Sequence, residues 1–375
     1  MIPRSLTPQI LTATPPKAVL IYGPRQAGKT TLLHNLPNLG TVNYFCGDIP
    51  RDRARLQGLQ SAGDIDVMLA GSDSIIIDEA QRIPNIGLIV KMLADANKKT
   101  KIFLTGSSSF ELAQGVRESA VGRLDNRTLW PLSLGELAAK YGWGFVQSNL
   151  ERFLVFGTYP EVVTNPDLAG VTLANLSGDL MFRDVFALEQ VRSSDKLSEL
   201  VTLLALRIGQ EISYESLGRD LKLHSQTVER YIDILEKCFL IRRCPSFARN
   251  LDNEIKKGKK IYFCDVGLRN AILSKFEPFS GRDDAGALWE NFFFMERLKK
   301  HELERSFTRQ YFWRIRGRKI RNIDFVEVLD QDMQAFECKL NPRQKDNGGS
   351  DFRSAYPNCP IRVVSPEMLD PALFL

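Results

Sequence analysis

AVLIYGPRQAGKTT, residues 18–31, is a short apolar run that breaks into glycine and ends on Gly-Lys-Thr. It predicts a strand, a loop and the start of a helix. Gly23, Gly28, Lys29 and Thr30 fit the spacing G-x-x-x-x-G-K-[ST], a loop whose backbone N–H groups wrap a polyphosphate while the lysine meets the β- and γ-phosphates and the hydroxyl binds Mg²⁺. The glycines permit backbone angles and a close approach that a Cβ would block, and the following helix turns its positive dipole end toward the phosphates. Pro24, Arg25, Gln26 and Ala27 complete the loop, and Thr31 follows it as a further expected nucleotide contact.

Working outward, a nucleotide hydrolase needs a buried strand that ends in an acid, and SIIIDE, residues 74–79, supplies one. Three consecutive isoleucines suit a strand covered on both faces, and Asp78 then emerges at the carboxyl end, where parallel sheets bind ligands. Asp78 is expected to hold Mg²⁺ through water, and Glu79 to polarise the attacking water, which favours hydrolysis over mere storage of nucleotide.

Around this pair the chain alternates. The patterning predicts an irregular arm over 1–17, where Pro3, Pro8, Pro15 and Pro16 discourage regular structure. It predicts helices over 29–36, 49–69 and 86–97, and strands over 41–45, 74–78, 101–105 and 127–130. Strands alternating with helices imply an α/β fold with a parallel, doubly wound sheet. A polar side chain at the tip of the 101–105 strand, Thr105 or Ser107, would fall between the acids and the γ-phosphate as a sensor. Arg117 and Arg123 precede the last of these strands, and either would serve as an arginine finger acting on a neighbouring subunit.

Length and composition bound the rest. The 375 residues suggest two or three domains, with 43% apolar residues as in ordinary packed cores. Apolar runs such as AVLIY and FLVF are too short to span a bilayer, and the N-terminus lacks a signal-peptide core, so a cytoplasmic location without membrane contact is expected. The six cysteines contain no Cys-x-x-Cys pair and only three histidines accompany them, which argues against zinc and disulfides. The formal net charge is +5, yet residues 242–260 hold seven basic and two acidic side chains, and 314–321 hold five basic and none acidic. These segments together carry +10, so the positive surface is concentrated in the C-terminal half, as a polyanion contact requires.

GPRQAGKTT, IIIDEAQRIP, FLTGSSS, the Val121-Gly122-Arg123 stretch, LWPLSLGEL and FGTYPEV together resemble an AAA-superfamily ATPase, more narrowly a prokaryotic group with a distinctive C-terminal domain, similar to the archaeal AAA-type ATPases. The resemblance implies an ATPase core over 1–131 and a small helical lid over 132–208, with Gly157 to Pro160 as the lid's Gly-x-x-Pro turn. It also puts Arg123 where the family carries an arginine before the last strand. No arginine directly follows the Gly-x-x-Pro turn, so a second sensor is not placed.

From residue 209 to 280 the pattern changes to helix, short turn, helix and apolar strand: YESLGRDLKL, then SQTVERYIDILEKCFLI. This spacing fits a winged helix-turn-helix, with Gln226, Thr227, Glu229 and Arg230 early on the second helix and 242–260 as the wing, where Lys256, Lys257, Lys259 and Lys260 would meet DNA phosphates. Residues 281–375 hold ALWENFFFMERLKK, YFWR, IDFVEV and AFECKL. Asp324 is followed 13 residues later by Glu337-Cys338-Lys339, which matches the D-x(n)-[DE]-x-K pattern of the PD-(D/E)xK nuclease fold, with Glu290 on the preceding helix as a completing acid. In that chemistry Asp324, Glu337 and the Cys338 carbonyl bind Mg²⁺, and Lys339 orients or activates the attacking water. Relatives carry an acid where this chain has Asn322, which bears on the support of Asp324.

The expected whole is an oligomeric, ATP- and Mg²⁺-dependent ATPase that acts on DNA, in one form a motor or remodeller of branched DNA with a nuclease-like domain. The alternatives are a nucleotide-dependent DNA-binding switch without cleavage and an ATP-gated defence nuclease.

Overall fold

The computed structural model describes every residue of the chain outside 97–98, 107–121, 186–192, 248–257, 316–320 and 344–348. Two units emerge: Met1–Pro131 with Lys237–Phe239, and Leu132–Glu236 with Leu240–Leu375.

In the first unit a five-stranded sheet joins β1 (Ala18–Tyr22), β2 (Val42–Cys46), β3 (Ser74–Asp78), β4 (Lys101–Gly106) and β5 (Leu124–Thr128) in the order β2-β3-β4-β1-β5. All neighbours are parallel. The isoleucine run is why β3 lies inside: Ile75, Ile76 and Ile77 are all buried, and Ile75 and Ile77 share one core cluster with Leu20, Phe45 and Leu104 from other strands. The order puts β4 between β1 and β3, so the end of β4 falls between the glycine loop and the acid. The connecting helices include α1 (Thr7–Leu11), α2 (Lys29–His34), α3 (Pro50–Gln57), α4 (Ala62–Leu69) and α5 (Ile86–Ala96).

Three expectations shift. The arm is not wholly irregular, because Pro8 falls in the first turn of α1, where its missing N–H costs nothing. The helical stretch 49–69 divides into two, the second opened by a capping box in which Ser61 and Asp64 satisfy each other's backbone N–H. The last strand begins at Leu124 rather than Arg127. Its sequence, LDNRT, is mostly polar and gives no apolar signal, because Arg127 is buried through bonds to Asp125 at 2.9 Å and Gln9 at 2.7 Å instead.

The second unit begins with helices over Leu134–Tyr141, Trp143–Phe156, Pro160–Thr164, Ala169–Asp179 and Ser194–Leu206. A three-stranded sheet follows, β6 (Glu211–Ile212), β7 (Ile241–Pro245) and β8 (Lys259–Phe263), in the antiparallel order β6-β8-β7. Between β6 and β7 lie two helices, Tyr214–Leu221 and Ser225–Lys237, separated by a tight turn through Lys222 in the left-handed region. The C-terminal sheet, β9 (Arg309–Ile315), β10 (Arg321–Leu329), β11 (Asp332–Cys338) and β12 (Ile361–Val364), runs in the order β12-β11-β10-β9.

The Gly157–Pro160 turn is fixed within this unit. Gly157 has φ 70 and ψ −164, a region essentially reserved for glycine, and an added Cβ would fall 1.9 Å from Asp265 Oδ1. Asp265 accepts from Thr158 N at 2.9 Å and from Leu268 N at 3.1 Å, so one buried carboxylate grips the turn and caps the Val266–Ile272 helix. Among the described residues no helix is long and apolar enough to cross a membrane.

Candidate functional site

The loop after β1 has the backbone its sequence demands. Gly23 has φ 152, and a Cβ there would meet the Leu129 carbonyl oxygen at 2.2 Å; Gly28 enters α2 at φ 93. Gln26 is exposed with φ 59, while Pro24 and Ala27 are buried and Arg25 is half-buried. Lys29 is buried, and its Nζ donates to the Gly23 and Pro24 carbonyls at 2.9 and 2.7 Å. Thr30 and Thr31, on the first turn of α2, are exposed. The arm contributes a contact that its prolines did not announce: Arg4 donates to the Ala27 and Trp130 carbonyls, each at 2.6 Å, and so ties the loop to the segment after β5.

At the ends of β3 and β4 the expected acids and sensor come together. Thr105 Oγ1 donates to Asp78 Oδ1, and the Glu79 N–H donates back to Thr105 Oγ1 at 3.1 Å. Asp78 is buried, and its second oxygen accepts from the Tyr44 hydroxyl at 2.9 Å. Burial, and then the Asp78 charge, push the Tyr44 phenol upward, so it stays a donor at neutral pH. Glu79 has φ 50, a strained setting for a side chain other than glycine, and its carboxylate accepts from Gln81 Nε2 at 2.5 Å. Tyr44 carries no motif signal and becomes visible only once strand register places it, whereas Gln81 lies within the IIIDEAQRIP stretch, two residues after Glu79.

Arg123 precedes β5 and is ion-paired within its own unit to Asp95 at 2.5 Å. Ser107 and Arg117 lie outside the described residues, as does Val121 of the quoted stretch.

In the second unit Lys339, half-buried, ion-pairs the buried acids Asp324 and Glu337, while Glu290 is paired separately. The pairing of β9 with β10 shifts register between Ile323 and Val326, so Asp324 is set at a bulge, a feature that re-aims side chains. Asp324 Oδ2 accepts from the Cys338 N–H at 3.0 Å, and Oδ1 from Asn322 Nδ2 at 3.1 Å, so Asn322 supports Asp324 directly. Lys339 Nζ is 2.7 Å from Glu337 and 3.9 Å from Asp324. Burial alone would lower the Lys339 ammonium, but its bond to Glu337 and the Asp324 charge hold it above its ordinary value.

The shared Mg²⁺ site expected here is corrected. Among the described residues no three His, Cys, Asp or Glu side chains converge closely enough to hold a metal ion. Glu290 Oε1 instead accepts from Lys260 at 2.7 Å and from Tyr262 at 2.5 Å. Burial, ahead of the partly opposing Lys260 charge, raises the Glu290 carboxyl above its ordinary value. The arrangement follows from Asn291, whose side chain bonds both the N–H and the carbonyl of Phe263, at 2.6 and 2.8 Å, and so docks the Ala285–Glu304 helix on β8.

The residues expected to meet DNA divide sharply. Gln226 is exposed and Thr227 and Arg230 half-buried at the start of the Ser225–Lys237 helix, while its Val228, Tyr231, Ile232 and Leu235 are buried. Lys260 is corrected: it alternates inward on β8 and is only 6% exposed. Lys259 points the other way, its ammonium 5.0 Å from the Tyr214 ring centroid and 3.3 Å from its hydroxyl. Lys256 and Lys257 lie outside the described residues. Much of the remaining basic charge is answered within the unit: Arg242 pairs with Glu302, Arg243 with Asp233 and Glu236, Arg314 with Glu211 and Arg321 with Asp351.

Residues 15–138 match the AAA domain family, which together with this geometry supports nucleotide binding by an AAA-type P-loop ATPase unit. Residues 147–278 and 285–368 match two domains of unknown function, DUF8612 and DUF4143. An uncharacterized protein of Mycobacterium tuberculosis is 29% identical over 281 residues, 73% of this chain and 60% of the relative. One from Haemophilus influenzae is 25% identical over 354 residues, 88% of this chain and 84% of that protein. The chain thus spans about 60% of the length of its mycobacterial relative. Among solved structures, a Walker-type ATPase of Pyrococcus abyssi covers 73% of this chain and 96% of its own, at 16% identity and a TM-score of 0.48.

Proposed function

We propose that the chain binds ATP with Mg²⁺ on the 23–31 loop, hydrolyses it, and uses the cycle to act on DNA through a winged helix formed by residues 209–280. The observation that carries the nucleotide half is the bonded set Asp78, Glu79 and Thr105 at the ends of adjacent strands, one strand away from the loop. Bound Mg²⁺ would neutralise charge on the phosphates and hold them for attack. Lys29 exchanges its two carbonyl bonds for phosphate oxygens, Thr30 offers its hydroxyl to the cation, and Asp78 positions the cation's water shell. Glu79 orients the attacking water once its bond to Gln81 is given up, and Thr105 keeps both acids in register.

The DNA half is supported by the succession of two helices, tight turn and β-hairpin, and by the exposed polar start of the Ser225–Lys237 helix. In this reading the ion-paired cluster around Asp324 supports the domain and does not cleave, and Arg123 acts on a neighbouring copy after leaving Asp95. Titration with a fluorescent ATP analogue in Mg²⁺ tests the nucleotide half. Saturable binding that Lys29→Ala weakens by about tenfold or more fits the reading, since charge-assisted bonds to phosphate are lost. Equal binding by the two proteins contradicts it.

A further inference from the structure

Three residues part from their neighbours in sequence. The chain leaves the second unit after Glu236 and returns to it at Leu240, and Lys237–Phe239 cluster with the first unit. Phe239 is 2% exposed, its ring centroid 5.8 Å from that of Tyr22 and 5.3 Å from that of Trp130, edge-on to the indole. Its φ of 59 is a left-handed setting that a bulky side chain keeps only where its surroundings hold it there.

Both of these ring partners belong to the floor of the glycine loop. Tyr22 ends β1 directly before Gly23, and its carbonyl accepts from Leu129 N at 2.8 Å. The Leu129 carbonyl oxygen is the atom that a Cβ on Gly23 would strike, and Trp130 follows it in the chain. Arg4 closes the set by donating to the Ala27 and Trp130 carbonyls. The residue after Phe239 is pinned within the second unit. The Leu240 N–H donates to the Leu235 carbonyl, on the Ser225–Lys237 helix, and the Leu240 carbonyl accepts from Cys264 N, each at 3.0 Å.

We propose that Phe239 is a positioning residue for the nucleotide loop, and that through it occupation of the loop by ATP and Mg²⁺ firms the 235–240 turn at the end of the Ser225–Lys237 helix. The inference rests on the nucleotide half of the proposed function and needs none of the DNA half. A polyphosphate held by the loop's backbone N–H groups takes freedom from Gly23 and Ala27. Tyr22 adjoins the first and Arg4 ties Trp130 to the second, so the two rings that Phe239 touches lose freedom with them. A Phe239 ring packed on stiffer partners leaves the turn fewer ways to open, and order gained at one end is thereby coupled to the other.

Hydrogen exchange at the Leu240 amide tests this in the full chain, with and without a non-hydrolysable ATP analogue in Mg²⁺, each protein being compared with itself. In the natural chain, saturating analogue should slow exchange there by about tenfold or more, the scale of a typical coupling between two sites. Phe239→Leu stays apolar and gives up the ring contacts; it should still bind the analogue and should lose the slowing. Phe239→Gly relaxes the left-handed backbone while removing the side chain, so the same loss in this variant assigns the effect to the ring. The inference is overturned, with the nucleotide reading intact, if the natural chain binds the analogue and exchange at Leu240 stays the same, a comparison that does not depend on any variant folding. It is equally overturned if Phe239→Leu or Phe239→Gly binds the analogue and keeps the slowing. A natural chain that binds no analogue overturns the nucleotide reading and this inference together.

Discussion

Thr105 is one side chain that serves two acids: its hydroxyl donates to Asp78 and accepts from the Glu79 N–H. Thr105→Val keeps the shape and removes both bonds. Turnover of ATP should then fall by about tenfold or more, the scale of one lost positioning hydrogen bond of about 1.4 kcal/mol, with the Kd for ATP nearly unchanged. Steady-state kcat beside a binding titration checks this; equal losses in both would make Thr105 a general support of the fold. Residues of this kind differ in how legible they are. Gly23, Gly28, Lys29, Asp78 and Glu79 could be read from the sequence because phosphate and metal chemistry dictates both their type and their spacing. Tyr44 and Arg4 could not, since each reaches its partner only through the pairing of strands or the return of the N-terminal arm.

β8 shows how an element can mislead when only its charges are read. Lys259 and Lys260 look like one basic run, yet strand alternation sends them to opposite faces, one onto Tyr214 and the other onto Glu290. The same two-residue period was available in the sequence; what it lacked was the knowledge that this segment pairs between β6 and β7. DNA binding should accordingly depend on the helix more than on these lysines. Replacing Gln226, Thr227 and Arg230 together by alanine should weaken it, whereas Lys259→Gln should leave the slope of log affinity against log salt within about 0.5, where a full phosphate contact would change it by about 1. Fluorescence anisotropy across a salt series reads both, and a slope that drops by a full unit in Lys259→Gln would return that lysine to the DNA contact. β5 gives the complementary lesson: its polar LDNRT sequence hid the start of the strand, where Arg127 is satisfied by Asp125 and Gln9.

Across the whole molecule, buried ion pairs carry much of the second unit's order, and one of them sets a pH dependence. Arg269 and Arg282 have almost no side-chain exposure, at 2% and 1%, and both bond Asp284. Burial works against ionisation of Asp284, but these guanidiniums outweigh it and hold its carboxyl well below the usual carboxylate range. A depressed folded-state pKa stabilises the chain above the unfolded value of about 3.9, and that stabilisation fades as pH falls through the lower folded value. Asp284→Asn should therefore cost roughly 3 kcal/mol near neutral pH, and the gap to the natural chain should narrow below about pH 4. Urea unfolding at several pH values follows it, and a gap independent of pH would assign the loss to packing alone. The broad plan, a parallel sheet with a glycine loop followed by helices and further strands, was legible because periodicity and turn chemistry report on local structure. The clustering of residues 132–236 with residues 240–375 was not, since it rests on distant contacts such as Asp265 on the Gly157–Thr158 turn. The central claim is tested most directly by measuring Mg²⁺-dependent ATP hydrolysis, with and without duplex DNA, for the natural chain and Glu79→Gln. Turnover that DNA stimulates and that Glu79→Gln loses by about a hundredfold, while still binding nucleotide, is the predicted result; equal turnover in the two proteins, or none in the natural chain under any condition, would contradict it.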